Sequence, residues 1–188
     1  MQINSLFQMA AESPERIERM RTFLPLGDGF NYLLSGVAKA EISLASTTQL
    51  YNPRTRNWSD KLLEAFGWPR AKFPELIPSG TRLGKLKPEL AAASGLGEIE
   101  VLATCSHDTG AAVAAVPADG DQWAYLSSGT WSLIGVELPE PIINDASRDL
   151  NFTNEIGHGN TVRLLRNIIG LWLVQECRRE WAEAGEDY

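Results

Sequence analysis

A mixed α/β fold is predicted by three features of this 188-residue chain. The apolar run Val101-Leu102-Ala103 stops at Ser106-His107-Asp108-Thr109 and resumes as Gly110 to Val116, the pattern of a strand, a tight junction and a small-residue helix. Trp123 to Leu126 and Trp131 to Val136 flank Ser127-Ser128-Gly129-Thr130, which reads as a hairpin with hydroxyls and a glycine in its turn. Apolar residues at helical spacing fill the first 36 positions.

In chain order, Asn4 is expected to cap a first helix bearing Leu6, Phe7, Met9 and Ala10, and Ser13-Pro14-Glu15 to start a second. Ile17, Met20 and Phe23 face inward on that second helix, which Pro25 and Gly27 end. Phe30, Leu33 and Leu34 mark a third, closing near Gly36. Glu41 to Leu50 is rich in Ser and Thr, and Asn52 to Asn57 makes a polar turn. Ser59 caps a helix that Gly67 stops, Arg82 to Leu86 reads as a short strand, and Pro88 opens a helix fading at Gly95. Beyond the central hairpin, Asn144 to Asp149 reads as a polar loop without helix or strand period. Asn151 to Ile156 and Thr161 to Leu165 form a second hairpin around Gly157-His158-Gly159-Asn160. A last helix is expected from about Asn167, with Ile168, Leu171, Trp172 and Cys177 at helical spacing. A boundary near Pro117 to Gly120 divides the chain into residues 1–119 and 120–188.

Hydrophobic content of 44% with 22% charged residues is ordinary globular composition. A net charge of −7 argues against a nucleic-acid partner, which needs clustered Lys and Arg, and favours a small-molecule ligand. Cys105 and Cys177 stand far apart without paired neighbours, so neither a disulfide framework nor a zinc motif is expected and a reducing cytoplasm fits. The start of the chain lacks the pattern of a secretory signal, and no apolar run reaches membrane-spanning length. The oligomeric state is not readable.

Asp108 sits where a strand hands over to a helix, a place from which a carboxylate can accept a proton from a hydroxyl; capping the helix is the equally physical alternative. His107 and Thr109 can hydrogen-bond sugar hydroxyls or serve structure alone. Gly129 and Thr130 let a phosphate approach the backbone, as in any small polar turn. Asn167 and Gln175, two turns apart on the expected last helix, either face a ligand or only solvate it. His158 reads as a turn residue without a second metal ligand. Trp58, Trp68, Trp172 and Trp181 read as packing, while Arg54 and Arg56 suit either an anion or a solvated turn.

Ser106 to Thr109, Tyr125 to Ser132 and Leu165 to Leu173 resemble the FGGY carbohydrate kinases, most closely their rhamnulose-phosphorylating branch. Weaker similarity runs through Leu24 to Asp28 and Ala45 to Leu50. The resemblance implies parts of two domains of the actin-like ATPase (ribonuclease H-like) fold, with substrate in the cleft between them. It implies an ATP- and Mg²⁺-dependent kinase of a ketose, with Asp108 as catalytic base and His107, Asp108, Thr109 and Asn167 on the sugar. Gly129, Thr130 and Gln175 would contact ATP, and no protein metal ligand is assigned. L-rhamnulose, phosphorylated to the 1-phosphate, is the favoured substrate. A kinase of fuculose or xylulose, or a non-catalytic sugar-binding remnant, is the alternative. The family's first phosphate hairpin and its adenosine motif have no counterpart here, so the chain alone is expected to be inactive.

Overall fold

The computed structural model describes residues 2–120 and 122–185. Its first part comprises α1 (Gln2–Glu12), α2 (Pro14–Arg19), α3 (Leu26–Ser35), β1 (Ala40–Glu41), α4 (Ile42–Ser46), β2 (Tyr51–Asn52), β3 (Asn57–Trp58) and α5 (Asp60–Ala65). There follow β4 (Leu76–Ile77), β5 (Arg82–Lys85), α6 (Pro88–Ser94), β6 (Glu100–Leu102) and α7 (Asp108–Ala114). The remainder is β7 (Tyr125–Ser128), β8 (Trp131–Leu138), α8 (Asp145–Asp149), β9 (Thr153–Ile156), β10 (Val162–Ile169) and α9 (Trp172–Glu183). The last four strands make one antiparallel sheet in the order β7-β8-β10-β9, while β1·β4, β2·β3 and β5·β6 are separate pairs.

Local chemistry sets several of these bounds. The Ser59 side chain accepts from Leu62 N at the start of α5, and Gly36 and Gly95 end α3 and α6 in the left-handed conformation. Trp58, only 2% exposed, anchors the largest core with Leu50, Leu63, Trp68 and Phe73, and its indole Nε1 donates to Pro74 O at 2.7 Å. Burying each such side chain contributes roughly 1.5–3 kcal/mol.

A second apolar cluster joins the two parts of the chain: Ile42 and Tyr51 pack on Ile156 and Val162, the latter two fully buried. Ile156 N also donates to Ser46 Oγ at 2.9 Å, tying β9 to α4. Val113 of α7 packs on Tyr125 and Leu165 of the four-stranded sheet. The strand–helix junction ahead of α7 is therefore wedged between α4 and that sheet.

Several expectations are corrected. α2 ends at Arg19, so Met20 and Phe23 lie beyond it, and Gly27 stands in the first turn of α3, which follows Pro25. The first helix starts at Gln2 rather than after a cap at Asn4, and Ile3 N finds its acceptor at distance in the chain, donating to Thr48 O. Asn144 to Asp149 is not a loop: Asn144 and Ser147 form a reciprocal capping box around a helix too short to show a period. Asn167 lies in β10 and not in a helix, because β10 pairs with β8 without a break from Val162↔Leu138 to Ile169↔Trp131. The helical spacing of Ile168, Leu171 and Trp172 spans two elements separated by Gly170, so Asn167 and Gln175 do not share a helix face.

Candidate active site

Beneath the junction lies a carboxylate that local sequence patterns gave no reason to single out. Glu41 is fully buried and accepts six hydrogen bonds: from Ser43 N and Oγ, Leu44 N, Ser79 Oγ, and Ser106 N and Oγ. It caps α4 and at the same time pins Ser106, two residues before Asp108. The Ser43 hydroxyl relays the grip onward by accepting from His107 N at 3.2 Å. On the other side Gly27 of α3 stands so close to Ser106 that a Cβ at 27 would lie 3.1 Å from Ser106 Cβ.

Asp28 of α3 completes this support. Its Oδ1 accepts from Glu41 N at 3.0 Å, and Oδ2 has no partner. Burial pushes its pKa up to about 6, the backbone bond from Glu41 opposes this, and the Glu41 charge adds to the rise. A carboxyl whose folded pKa is raised contributes stability that is complete below about 4 and lost as pH rises through 6. Asp28→Asn removes this loss, so its stability relative to wild type is expected to rise between pH 4 and pH 8. Urea midpoints of wild type and variant at both pH values check this; a difference independent of pH contradicts it.

Asp108 opens α7 with its side chain 96% exposed, and its Oδ1 accepts from Thr109 N at 2.7 Å. His107 is mostly buried, with Nε2 3.6 Å from Asp108 Oδ1 and Nδ1 2.7 Å from Arg163 Nη2. Burial pushes the His107 pKa down; Glu155 opposes this and Arg163 reinforces it. Arg163 is fully buried and also donates to Glu155 Oε2 at 3.0 Å. The structure thus brings His107, Asp108 and Thr109 together and adds Glu41, Arg163 and Glu155. Arg163 escaped sequence reading because a polar residue in an alternating strand ordinarily faces water.

The turn of the β7–β8 hairpin stands at the other end of β10. Arg163 and Ile169 are six residues apart, about 20 Å of strand at the usual rise. Gly129 O accepts from Leu171 N at 2.8 Å and Thr130 O from Trp172 N at 3.2 Å, so the start of α9 braces the turn. Gly170 is required there, since a Cβ would overlap the Gly129 carbonyl. The Thr130 hydroxyl is exposed and without a partner among the described residues. Gln175 lies exposed in the first turn of α9, beside this end. Asn167 is exposed on the Arg163 face of β10, opposite Leu133 and between the two ends. Among the described residues no group of three or more His, Cys, Asp or Glu is arranged to hold a metal ion.

The amino-terminal domain model of the FGGY family of carbohydrate kinases matches residues 5–115, and the carboxy-terminal domain model matches residues 124–188. The chain belongs to the FGGY family of carbohydrate kinases. Rhamnulokinase of Bacteroides thetaiotaomicron is 43% identical over 97% of this chain and 38% of its own length. That of Bacillus subtilis is 42% identical over 94% of this chain and 36% of its own. The chain therefore spans well under half of the FGGY relatives it matches. A ligand-bound xylulose kinase from Lactobacillus acidophilus superposes with a TM-score of 0.79 at 16% identity, over 99% of this chain and 37% of that one. The elements described above are accordingly part of the actin-like ATPase fold of FGGY kinases. No helix among the described residues is long and apolar enough to cross a membrane.

Proposed function

We propose that this chain carries the sugar-phosphorylating centre of an ATP-dependent ketose kinase, with L-rhamnulose as substrate and L-rhamnulose 1-phosphate as product. The observation that carries the reading is the Asp108 carboxylate, open to solvent beside His107 while the loop behind it is clamped by Glu41. In this reading Asp108 accepts the proton of the attacking hydroxyl, and His107, Thr109 and Asn167 hydrogen-bond the sugar. Residues 1–119 and 120–188 are parts of two domains, and the ketose lies between them.

The nucleotide belongs at the other end of β10. The unpartnered Thr130 hydroxyl and the side-chain-free Gly129 suit phosphate oxygens, and Gln175, exposed in the first turn of α9, is assigned to the nucleotide with them. ATP supplies the transferred phosphoryl group, and transfer depends on positioning and charge stabilisation more than on covalent help from protein. Mg²⁺ would be held chiefly through the nucleotide's phosphate oxygens and water, as is usual for this ion, and would neutralise charge on the transferred phosphoryl group. The working compartment is the cytoplasm.

A coupled assay for ADP release tests this reading on the enzyme extended to the full length of its relatives, with L-rhamnulose, xylulose and glycerol. The highest kcat/KM is expected for L-rhamnulose, because a site built to bond particular hydroxyls penalises sugars that leave its polar groups unpaired. Equal efficiency on all three removes the rhamnulose assignment. Absence of ADP release with every ketose leaves a non-catalytic sugar-binding module.

A further inference from the structure

We propose that Arg163 and Glu155 are positioning residues that hold His107 as the neutral tautomer protonated on Nε2, so that the loop offers a ketose one fixed N–H donor. The proposal rests on the reading of His107 as a sugar contact. A guanidinium has five N–H donors and no acceptor. With Arg163 Nη2 at 2.7 Å, His107 Nδ1 has to be the acceptor, and a proton there would set N–H against N–H. The remaining proton then sits on Nε2, on the side where Asp108 Oδ1 stands 3.6 Å away. Glu155 Oε2 accepts from the same Nη2 and lies 3.4 Å from Nδ1, which keeps the guanidinium in place from behind.

The scaffold makes this arrangement rigid. β10 is hydrogen-bonded on both sides, with Arg163 opposite Glu137 of β8 and Glu155 of β9, so the Arg163 stem has one register. The guanidinium packs under the first turn of α7, where a Cβ at Gly110 would lie in ordinary contact with Nη2 at 3.5 Å but only 2.9 Å from Cys105 Sγ, so glycine keeps the Cys105 side of this junction open. Arg163 is fully buried; the Tyr125 hydroxyl lies near its guanidinium, but Nε and Nη1 make no hydrogen bond of ordinary length among the described residues. Burying a cation with two donors unspent is costly for stability alone, which favours a role in setting the imidazole. Four charged side chains act on the ring: Glu155, Asp108 and Glu41 favour its protonation, whereas Arg163 and burial oppose it. The arrangement also crosses the chain, since His107 lies in the region matched by the amino-terminal family model and its two holders in the region matched by the carboxy-terminal one. Loss of the holders therefore frees the ring to flip or to exchange tautomers, presenting a bare acceptor where the sugar meets a donor.

The chain has two histidines, so His158→Gln leaves His107 as the single imidazole for long-range ¹H–¹⁵N NMR. At pH 7 the expected spectrum is that of one neutral ring protonated on Nε2. In Arg163→Lys and Glu155→Gln the expected result is a mixed tautomer population, with the His107 titration moved upward in the Lys variant. A ring protonated on Nδ1 in the otherwise native chain, or spectra unchanged in both variants, overturns the proposal. The native-chain measurement stands even where a variant fails to fold. In the enzyme of full length, Arg163→Lys is expected to raise KM for L-rhamnulose about tenfold while kcat falls less than threefold, about the effect of one hydrogen bond lost. The expected tautomer together with an unchanged KM in both Arg163→Lys and His107→Gln overturns the sugar reading of His107 and, with it, the specificity role.

Discussion

Asp108→Asn, in the enzyme extended to the full length of its relatives, is expected to lower turnover by about two orders of magnitude or more, the usual effect of losing a general base. KM for the sugar is expected to stay within a few fold, because the amide keeps the size and one acceptor of the carboxylate. The structure separates this outcome from a purely structural role. Asp108 is 96% exposed and its hydrogen bonds run to the neighbouring Thr109, so as a first-turn anion it is worth only about 0.3–1 kcal/mol to α7. A residue that merely favours the helix would, on substitution, cost that small stability and leave saturated turnover intact. Steady-state kinetics with saturating sugar decide the matter, and near-native kcat removes Asp108 as the base.

Glu41→Ala is expected to be the most damaging single change to the fold of the site. The carboxylate satisfies six donors at once, among them the fully buried Ser43 backbone N–H. Each buried donor left bare costs about 1–3 kcal/mol, so a loss of at least 3 kcal/mol is expected even if some donors turn to water. That is a large part of the total stability of a domain. Glu41→Gln keeps one acceptor oxygen but turns an NH₂ group against hydroxyl and amide donors, and it is expected to fall between wild type and Ala. Urea denaturation followed by tryptophan fluorescence measures both, and a change under 1 kcal/mol for Glu41→Ala contradicts the assignment of Glu41 as the clamp.

What the sequence disclosed follows from how local each signal is. Ser59 before α5, Pro88 and Gly95 around α6, and the turn between β7 and β8 are written within a few residues of the structure they specify. Ser106 to Thr109 was legible as a junction for the same reason. Glu41 was not, because its donors come from residues 43, 44, 79 and 106, and no window of sequence holds them together. Arg163 was hidden likewise, since its meaning depends on His107, 56 residues away. The misplaced start of the last helix has a related cause. Ile168 and Ile169 extend a strand already paired along its length with β8, and that pairing outweighs a spacing that reads equally well as helical.

In the proposed function, Asp108 receives the proton of the ketose hydroxyl that attacks ATP within the full-length enzyme. The most direct measurement is ³¹P NMR of the full-length enzyme incubated with Mg-ATP and L-rhamnulose. A new phosphate-ester resonance coupled to the two C1 protons is expected, growing in step with ADP and forming about a hundredfold or more slowly in Asp108→Asn. ADP accompanied only by inorganic phosphate, or an ester formed at the same rate by Asp108→Asn, would contradict this function.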